Sequence, residues 1–308
     1  MSCSLLSSIK HLKSIDMINA SDFIHPEDAA ALEQLENIAG FPTLVKKVLS
    51  LGYEQMQYGI NMASAIRLSP TQLPDLYHHL PPICKKLGIE EPEFYLQMDP
   101  MPNAWTFGDT KIFITITSGL VDMMNSEELD AVISHECGHI LCHHVLYHTV
   151  ARYILGGADS IGLLGKLADP IKYAFYYWQR KSELSCDRAA SIVTSPEIVA
   201  STMARLSGGP RSITGKINLE EWAKQADKYE DIRKDGFWNQ ALQIYAIAEQ
   251  SHPFSAVRVR EILDWSKTEQ YKSVKQYLLL GDNVKRCPHC GKPIENGWHY
   301  CKHCGGKV

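Results

Sequence analysis

The sequence of 308 residues contains no apolar run long enough to span a membrane. Its most apolar stretch, residues 150–178, is interrupted by arginine, aspartate and lysine side chains. The first residues, Met1 to Ser8, lack the apolar segment of a secretory signal peptide. These absences predict a protein of the cytoplasm without a transmembrane segment.

The cysteines do not form the pattern of a disulfide framework. Of nine cysteines, four lie together near the C-terminus, and the other five are scattered along the chain. An odd number of scattered cysteines argues for a reducing compartment. The formal net charge is only −4, which gives no reason to expect nucleic acid as a partner. The composition is that of an ordinary globular protein.

The most informative motif is His135-Glu136-Cys137-Gly138-His139, in which two histidines are four residues apart on a predicted helix. Residues at that spacing lie on one helical face, so both imidazoles can reach the same metal ion. Histidine suits zinc, and a catalytic zinc site takes three protein ligands and leaves a fourth position for water. Glu136 is then expected to act as general base on that water.

The third ligand has to come from elsewhere in the chain. In one large group of zinc peptidases it is a histidine six residues after the second histidine, but Val145 occupies that position here. The other common arrangement takes a glutamate from a later helix. Glu183 and Asp187 fit it, because they lie one helical turn apart. One carboxylate would bind the metal, and Asp187 would orient a histidine ligand through its second ring nitrogen.

A later segment offers one more candidate for the reaction itself. His252 precedes Pro253 at a predicted junction between a loop and a helix. A hydrogen-bond donor placed there would stabilise the oxyanion that forms when water attacks a peptide carbonyl.

Four motifs in this order resemble the gluzincin peptidases of the CAAX prenyl protease and HtpX type. The resemblance covers residues 90–265, and the ordered set is far more specific than any single motif. The motifs are Asn103-Ala104-Trp105, the motif at 135–139, Glu183-Leu184-Ser185-Cys186-Asp187 and His252-Pro253-Phe254-Ser255-Ala256-Val257-Arg258.

The resemblance implies a role for each matching residue. The zinc ligands would be His135, His139 and Glu183, and the catalytic residues Glu136 and His252. Asp187 and Arg258 would support the ligands, and Asn103 and Ala104 would lie on an edge strand that pairs with the peptide substrate. The membrane members of the family carry transmembrane helices that are not visible here. A prenylated or membrane-embedded substrate is therefore not expected.

The periodicity of apolar residues predicts a mostly helical protein with a few strands. Strands are expected at 94–98 and 111–117, with helices before and after them. Asn125 with Glu128 forms a capping box that would start the helix carrying the motif, and this helix is expected to run on toward Thr149. Together with the resemblance, this predicts an α+β fold: a predominantly helical zincin-like core with a small sheet, plus a zinc ribbon. The expected regions are an N-terminal helical region (1–88) packing on the core, the metallopeptidase core (89–281) and the ribbon (282–308).

Three more histidines follow the motif on the same predicted helix: His143, His144 and His148. His143 would lie on the ligand face one further turn along, which is too far for a compact metal site. We interpret all three as structural or solvent-exposed histidines.

The last residues contain two C-x-x-C knuckles, which resemble a zinc ribbon. Each knuckle lets two thiolates approach one ion, and four sulfurs close a structural site. A region this small would draw much of its folding energy from the metal. A redox dithiol pair or free cysteines are the alternatives. The four residues are Cys287, Cys290, Cys301 and Cys304.

The sequence therefore predicts a metalloendopeptidase that acts on peptides or proteins. It would bind Zn²⁺ at two sites, one catalytic and one structural, and Glu136 would assist the attack of zinc-bound water on the scissile carbonyl. The ribbon would bind a protein partner or recruit substrate. The alternative is an inactive, protease-like adaptor that acts through the ribbon.

Overall fold

The computed structural model describes residues 18–155, 168–234 and 253–280, and also 285, 287–289, 294, 297–302 and 304–308 of the C-terminal segment. Over these residues the fold is mainly helical, with one small mixed sheet, as the sequence predicted. No helix in this part of the chain combines the length and the apolar composition that crossing a bilayer requires.

Within residues 18–88, the N-terminal region is helical except for one short strand. The sequence predicted a helical region throughout, but the helix before the strand ends at Ser64, and Ile66–Arg67 forms strand β1. After a 3-10 turn at Ala20–Asp22, the helices are α1 (Pro26–Glu36), α2 (Phe41–Ser50), α3 (Tyr53–Ser64), α4 (Pro74–Tyr77) and α5 (Leu80–Leu87).

Helices also make up most of the chain after the sheet. Residues 156–167, between α8 and α9, and residues 235–252, between α12 and α13, lie outside the described part. The helices are α6 (Ser118–Met123), α7 (Ser126–Leu141), α8 (Val145–Leu155), α9 (Ala168–Val193), α10 (Pro196–Gly208), α11 (Arg211–Thr214), α12 (Leu219–Lys234), α13 (Ser255–Trp265) and α14 (Glu269–Leu280).

The sheet has four strands in the order β1-β2-β4-β3, so β3 lies at an edge. Strands β2 and β4 are parallel, whereas the β1–β2 and β3–β4 pairs are antiparallel. Strand β4 is buried along its whole length. Its isoleucines join the main core with α5, α7 and α9, and Phe113 packs against Tyr95 and Phe107 on the other face. The remaining strands are β2 (Glu93–Gln97), β3 (Ala104–Phe107) and β4 (Phe113–Thr117).

Helix α7 starts where the sequence predicted. The side chain of Asn125 accepts a hydrogen bond from the backbone N–H of Glu128, and the Glu128 carboxylate accepts one from the backbone N–H of Asn125. This capping box satisfies two amide groups at the helix start and fixes where the first turn lies. The motif at 135–139 follows two turns later, on the buried side of the helix.

The expectation that this helix continues toward Thr149 is wrong, because α7 ends at Leu141 and α8 begins at Val145. His143 adopts a left-handed conformation with φ of 58°. The N–H of His144 bonds to the carbonyl of His139, and that of His143 to the carbonyl of Ile140. These two bonds form a Schellman motif, which usually carries glycine where His143 stands. His143 therefore does not lie one turn further along the ligand face.

Candidate metal centre and active site

Helix α7 holds His135 and His139 side by side. Their rings lie edge to face, with centroids 5.1 Å apart, and both side chains are buried. The spacing of four residues that was noted in the sequence produces this arrangement, because it places successive side chains on one face of the helix.

Glu183 reaches the two histidines because α7 and α9 pack unusually closely at Gly138. A Cβ atom at this position would lie 2.9 Å from Cβ of Ala189 and 3.1 Å from Cα of Cys186. The Glu183 carboxylate faces both imidazoles: Oε2 lies 3.3 Å from Nε2 of His135, and Oε1 lies 3.4 Å from Nε2 of His139. The structure thus brings together the three side chains that the sequence suggested as ligands.

Asp187 and Arg258 support this group from the next turn of α9 and from α13. Oδ1 of Asp187 lies 3.0 Å from Nδ1 of His135. The Arg258 guanidinium donates two hydrogen bonds to Asp187, from Nε at 2.8 Å and from Nη2 at 2.6 Å. Its Nη1 lies 3.3 Å from Oε2 of Glu183, so one guanidinium contacts both carboxylates.

The electrostatics of this group favour a cation between the imidazoles and the carboxylates. Burial on its own would lower the pKa of His135, but Glu183 and Asp187 raise it to about 10. Burial raises the pKa of Asp187, but the Arg258 guanidinium and His135 outweigh it, and the net shift is downward. The Asp187 carboxylate therefore stays ionised at neutral pH and attracts positive charge.

The donor set fits zinc. Two imidazole nitrogens and one carboxylate make up a common ligand set of catalytic zinc sites. The contact between Asp187 and Nδ1 of His135 favours a hydrogen on that nitrogen, so a metal that displaces the other ring hydrogen would bind at Nε2, which faces Glu183. His135, His139 and Glu183 are therefore the residues that could hold the ion.

Glu136 lies next to these residues and is held by the sheet. Thr106 of strand β3 donates a hydrogen bond of 2.7 Å to Oε2 of Glu136. The hydroxyl also lies 3.2 Å from the backbone oxygen of Glu136, so it ties the edge strand to α7 at this point. Thr106 could not be recognised from the sequence, because a threonine inside a strand carries no distinctive signal.

Two cavities flank the group, with volumes of about 110 and about 400 Å³. Asn103, Ala104, His135, Glu136 and Glu183 line both of them, so the edge strand runs along the cleft on both sides of the candidate metal centre. The smaller cavity is mostly apolar, with Val132, Val199 and Met203 among its lining residues. The larger cavity is lined by polar and aromatic groups that include Trp105, Arg152 and Gln179.

Strand β3 directs backbone groups into this cleft. The carbonyl of Asn103 accepts a hydrogen bond from the N–H of Thr117 in β4. Because backbone groups alternate in direction along an antiparallel strand, those of Ala104 and Thr106 face away from β4. The side chain of Asn103 also accepts a hydrogen bond of 2.9 Å from the N–H of Ala104.

The C-terminal cysteines form a second group of possible metal ligands. The sulfur atoms of Cys287, Cys301 and Cys304 all lie within 4.8 Å of one another. The N–H of His289 approaches the sulfur of Cys287 at 3.4 Å, and Gly305 follows the second knuckle with φ of 74°. These features are compatible with a zinc ribbon, whose fourth predicted ligand, Cys290, lies outside the described residues. His252 also lies outside them.

The model of peptidase family M48 matches residues 71–266, which is more than half of the chain. The chain belongs to this family. It is 33% identical over 263 residues to the plastoglobule-localized metallopeptidase 48 of Arabidopsis thaliana, covering 83% of this chain and 76% of that protein. It is 37% identical over 98 residues to a protease HtpX homolog of Dictyoglomus turgidum, covering 31% of this chain and 30% of that protein.

This M48 chain is therefore a zinc metallopeptidase of the HtpX type, which confirms the resemblance drawn from its motifs. A second HtpX homolog, from Dictyoglomus thermophilum, is 39% identical over 98 residues. The chain spans less than half the length of these HtpX homologs, and the similarity to them is limited to a part of the core. No solved structure matches the chain significantly.

Proposed function

We propose that this M48 chain is a zinc-dependent endopeptidase that cleaves extended segments of proteins or peptides. The observation that carries the proposal is the convergence of Nε2 of His135 and of His139 on the Glu183 carboxylate, at 3.3 and 3.4 Å. Glu136 lies beside them in the same cleft. This arrangement combines a metal-binding set with a carboxylate that can act as base.

Zinc bound by His135, His139 and Glu183 would supply a Lewis acid that makes water nucleophilic at neutral pH and polarises the scissile carbonyl. Glu136 accepts the proton of the attacking water and then delivers it to the nitrogen of the leaving amine. The hydrogen bond from Thr106 fixes the carboxylate in position for both transfers. His252 remains our predicted oxyanion donor on the strength of the sequence motif.

The substrate would bind as an additional strand along β3. The backbone groups of Ala104 and Thr106 face away from β4, so a peptide that pairs with them passes between the two cavities. Substrate side chains on one side of the scissile bond would enter the apolar cavity, and those on the other side the polar one. This arrangement supports a preference for unfolded segments.

The C-terminal cluster would be a structural zinc ribbon with Cys287, Cys290, Cys301 and Cys304 as its ligands. Its role as a module for a protein partner, and the cytoplasmic location, remain predictions. One relative is described as plastoglobule-localized, and the similarity does not by itself give the location of this chain.

The variant Glu136→Gln tests the mechanism. It keeps the size of the side chain and all metal ligands, so about two zinc ions per chain should remain bound, one for each predicted site. Cleavage of fluorescently labelled, unfolded casein should fall by about 10²–10⁴-fold, because no group accepts the proton of the attacking water. Metal content and cleavage rate are measured on the same preparations.

Glu127→Gln is the matched control, because Glu127 lies exposed in the first turn of the same helix. It should cleave at the wild-type rate. The natural substrates follow from mass-spectrometric comparison of cleaved protein termini produced by wild type and by Glu136→Gln. Equal cleavage of casein by wild type and by Glu136→Gln would overturn the proposed mechanism.

A further inference from the structure

The second proposed metal ligand, His139, meets another histidine on the side away from Glu183. Its Nδ1 lies 3.3 Å from Nδ1 of His144. Two ring nitrogens at this distance form a hydrogen bond only if one carries a hydrogen and the other carries a lone pair. The tautomer of His144 therefore decides which nitrogen of His139 is available for a metal.

Asp28 of helix α1 supplies the group that decides this tautomer. Its Oδ2 lies 3.1 Å from Nε2 of His144, and both side chains are fully buried. The two atoms are not aligned as a regular hydrogen bond, but the negative charge of a buried carboxylate at this distance favours the tautomer with its hydrogen on Nε2, which leaves the lone pair of His144 on Nδ1. The sulfur of Cys186 also lies 3.7 Å from this Nδ1.

The Asp28 side chain is itself fixed by helix α9. Ser185 donates a hydrogen bond of 2.5 Å to Oδ2 of Asp28, and its oxygen accepts one of 3.0 Å from the backbone N–H of His25. Ser185 lies between Glu183 and Asp187 in sequence, so α9 holds the ligand and the Asp28 carboxylate together. Asp28 lies outside the residues that match the family model.

The remaining histidine of this cluster, His148, has partners of its own. Its Nε2 lies 3.1 Å from the hydroxyl of Ser182, which donates to the carbonyl of Gln179. Its Nδ1 lies 3.3 Å from the side-chain amide of Gln179. His148 therefore packs against His139 without competing for the hydrogen on Nδ1 of His139.

We propose that Asp28 is a positioning residue that acts through His144 on the metal ligand His139. With its hydrogen on Nε2, His144 accepts a hydrogen bond from Nδ1–H of His139, and the lone pair of His139 is placed on Nε2, toward Glu183. The inference rests on the proposed zinc site. Asp187 serves His135 directly, whereas Asp28 serves His139 through one intervening ring.

Zinc affinity of the full chain tests the proposal, measured by competition with a chromophoric chelator. The titration should show two phases, one for each proposed zinc site. His135→Ala first identifies the phase that belongs to the core site. Asp28→Asn should then weaken that phase by about 10–100-fold, which is the usual effect of removing a residue that supports a metal ligand. Leu35→Ala is the control, because Leu35 is buried on the same helix in a different apolar cluster. It should leave the phase unchanged.

A second measurement needs no variant. In the zinc-loaded wild-type protein with ¹⁵N-labelled histidine, long-range nitrogen–proton spectra should show the hydrogen of His144 on Nε2 and that of His139 on Nδ1. A hydrogen on Nδ1 of His144 would overturn the proposal. So would zinc binding by Asp28→Asn within threefold of wild type, or an equal loss in Leu35→Ala. If His135→Ala removes no phase, the proposed zinc site itself fails.

Discussion

The two groups of candidate metal ligands are built in opposite ways. In the core group, His135 and His139 come from α7, Glu183 comes from α9, and all three are buried among helices that pack on the main core. In the C-terminal group, Cys287 and Cys301 are buried but Cys304 is exposed, and the ligands lie close together in sequence.

The difference concerns what holds the ligands when no metal is bound. Arg258, Asp187 and the packing at Gly138 hold the core ligands through protein contacts alone. The cysteine group has a few backbone bonds, such as that from the N–H of Cys301 to the carbonyl of Gly306. We therefore expect the core to be preorganised for its metal and the C-terminal group to need its metal for folding.

Removal of metal should have the largest effect and should separate the two regions. After chelation, the amides of Cys301 and Gly305 should lose protection from hydrogen exchange, because structural zinc contributes about 10–16 kcal/mol of apparent binding free energy to small zinc domains. The amides of α7 should stay protected. Hydrogen exchange read by mass spectrometry measures both. Equal loss of protection in α7 would show that the core also depends on metal.

Asp187→Asn should weaken the core site only. The substitution removes the charge that Arg258 and His135 face, so zinc affinity at the core should fall by about 10–100-fold. The phase of the chelator titration that belongs to the cysteines should not change. Asp122→Asn, at an exposed position of α6, is the control and should bind zinc as wild type does. A loss in both phases would contradict the independence of the two sites.

Gly138→Ala should test the close helix packing that holds Glu183. The new Cβ meets Cβ of Ala189, so the free energy of unfolding should fall by about 1–3 kcal/mol, and zinc affinity should fall with it. Gly59→Ala is the matched control, since a Cβ there meets nothing within 4 Å. It should stabilise the protein by up to about 1 kcal/mol. Urea unfolding measures both, and a neutral Gly138→Ala would argue against the tight contact.

The smallest effect is expected from His143→Gly. Glycine removes the cost of the left-handed conformation, about 1–2 kcal/mol, but gains freedom in the unfolded chain, so a net stabilisation of about 0.5–1 kcal/mol should result. Lys46→Gly, at an exposed position inside α2, should destabilise by about 1 kcal/mol instead. A destabilisation of similar size in His143→Gly would mean that the helix continues through this residue.

Local signals in the sequence were sufficient for much of the candidate site. The four-residue spacing of His135 and His139, the capping box at Asn125 and the one-turn spacing of Glu183 and Asp187 all depend on neighbours along one helix. The structure brings Arg258 to the same place, as the order of the motifs suggested. The small sheet was also predicted from two strand patterns, whereas the edge strand at Ala104 was implied by the resemblance to known peptidases.

Other features depend on contacts that no local pattern reveals. The end of α7 was missed because His143 occupies a position where glycine is the usual signal. That missed turn redirects His144 toward Asp28, a residue of a helix far away in the chain. Thr106 was missed for the same reason, since its partner Glu136 lies on another element.

Arg258 has one further consequence, which concerns charge balance. The carboxylates of Glu183 and Asp187 are both buried against this one guanidinium. When the imidazoles are neutral, as metal ligands are, Arg258 offsets only part of this negative charge, and uncompensated charge in a protein interior is costly. A cation at the proposed zinc site would offset the remainder. The buried charges thus favour a positively charged ion before ligand geometry selects the element.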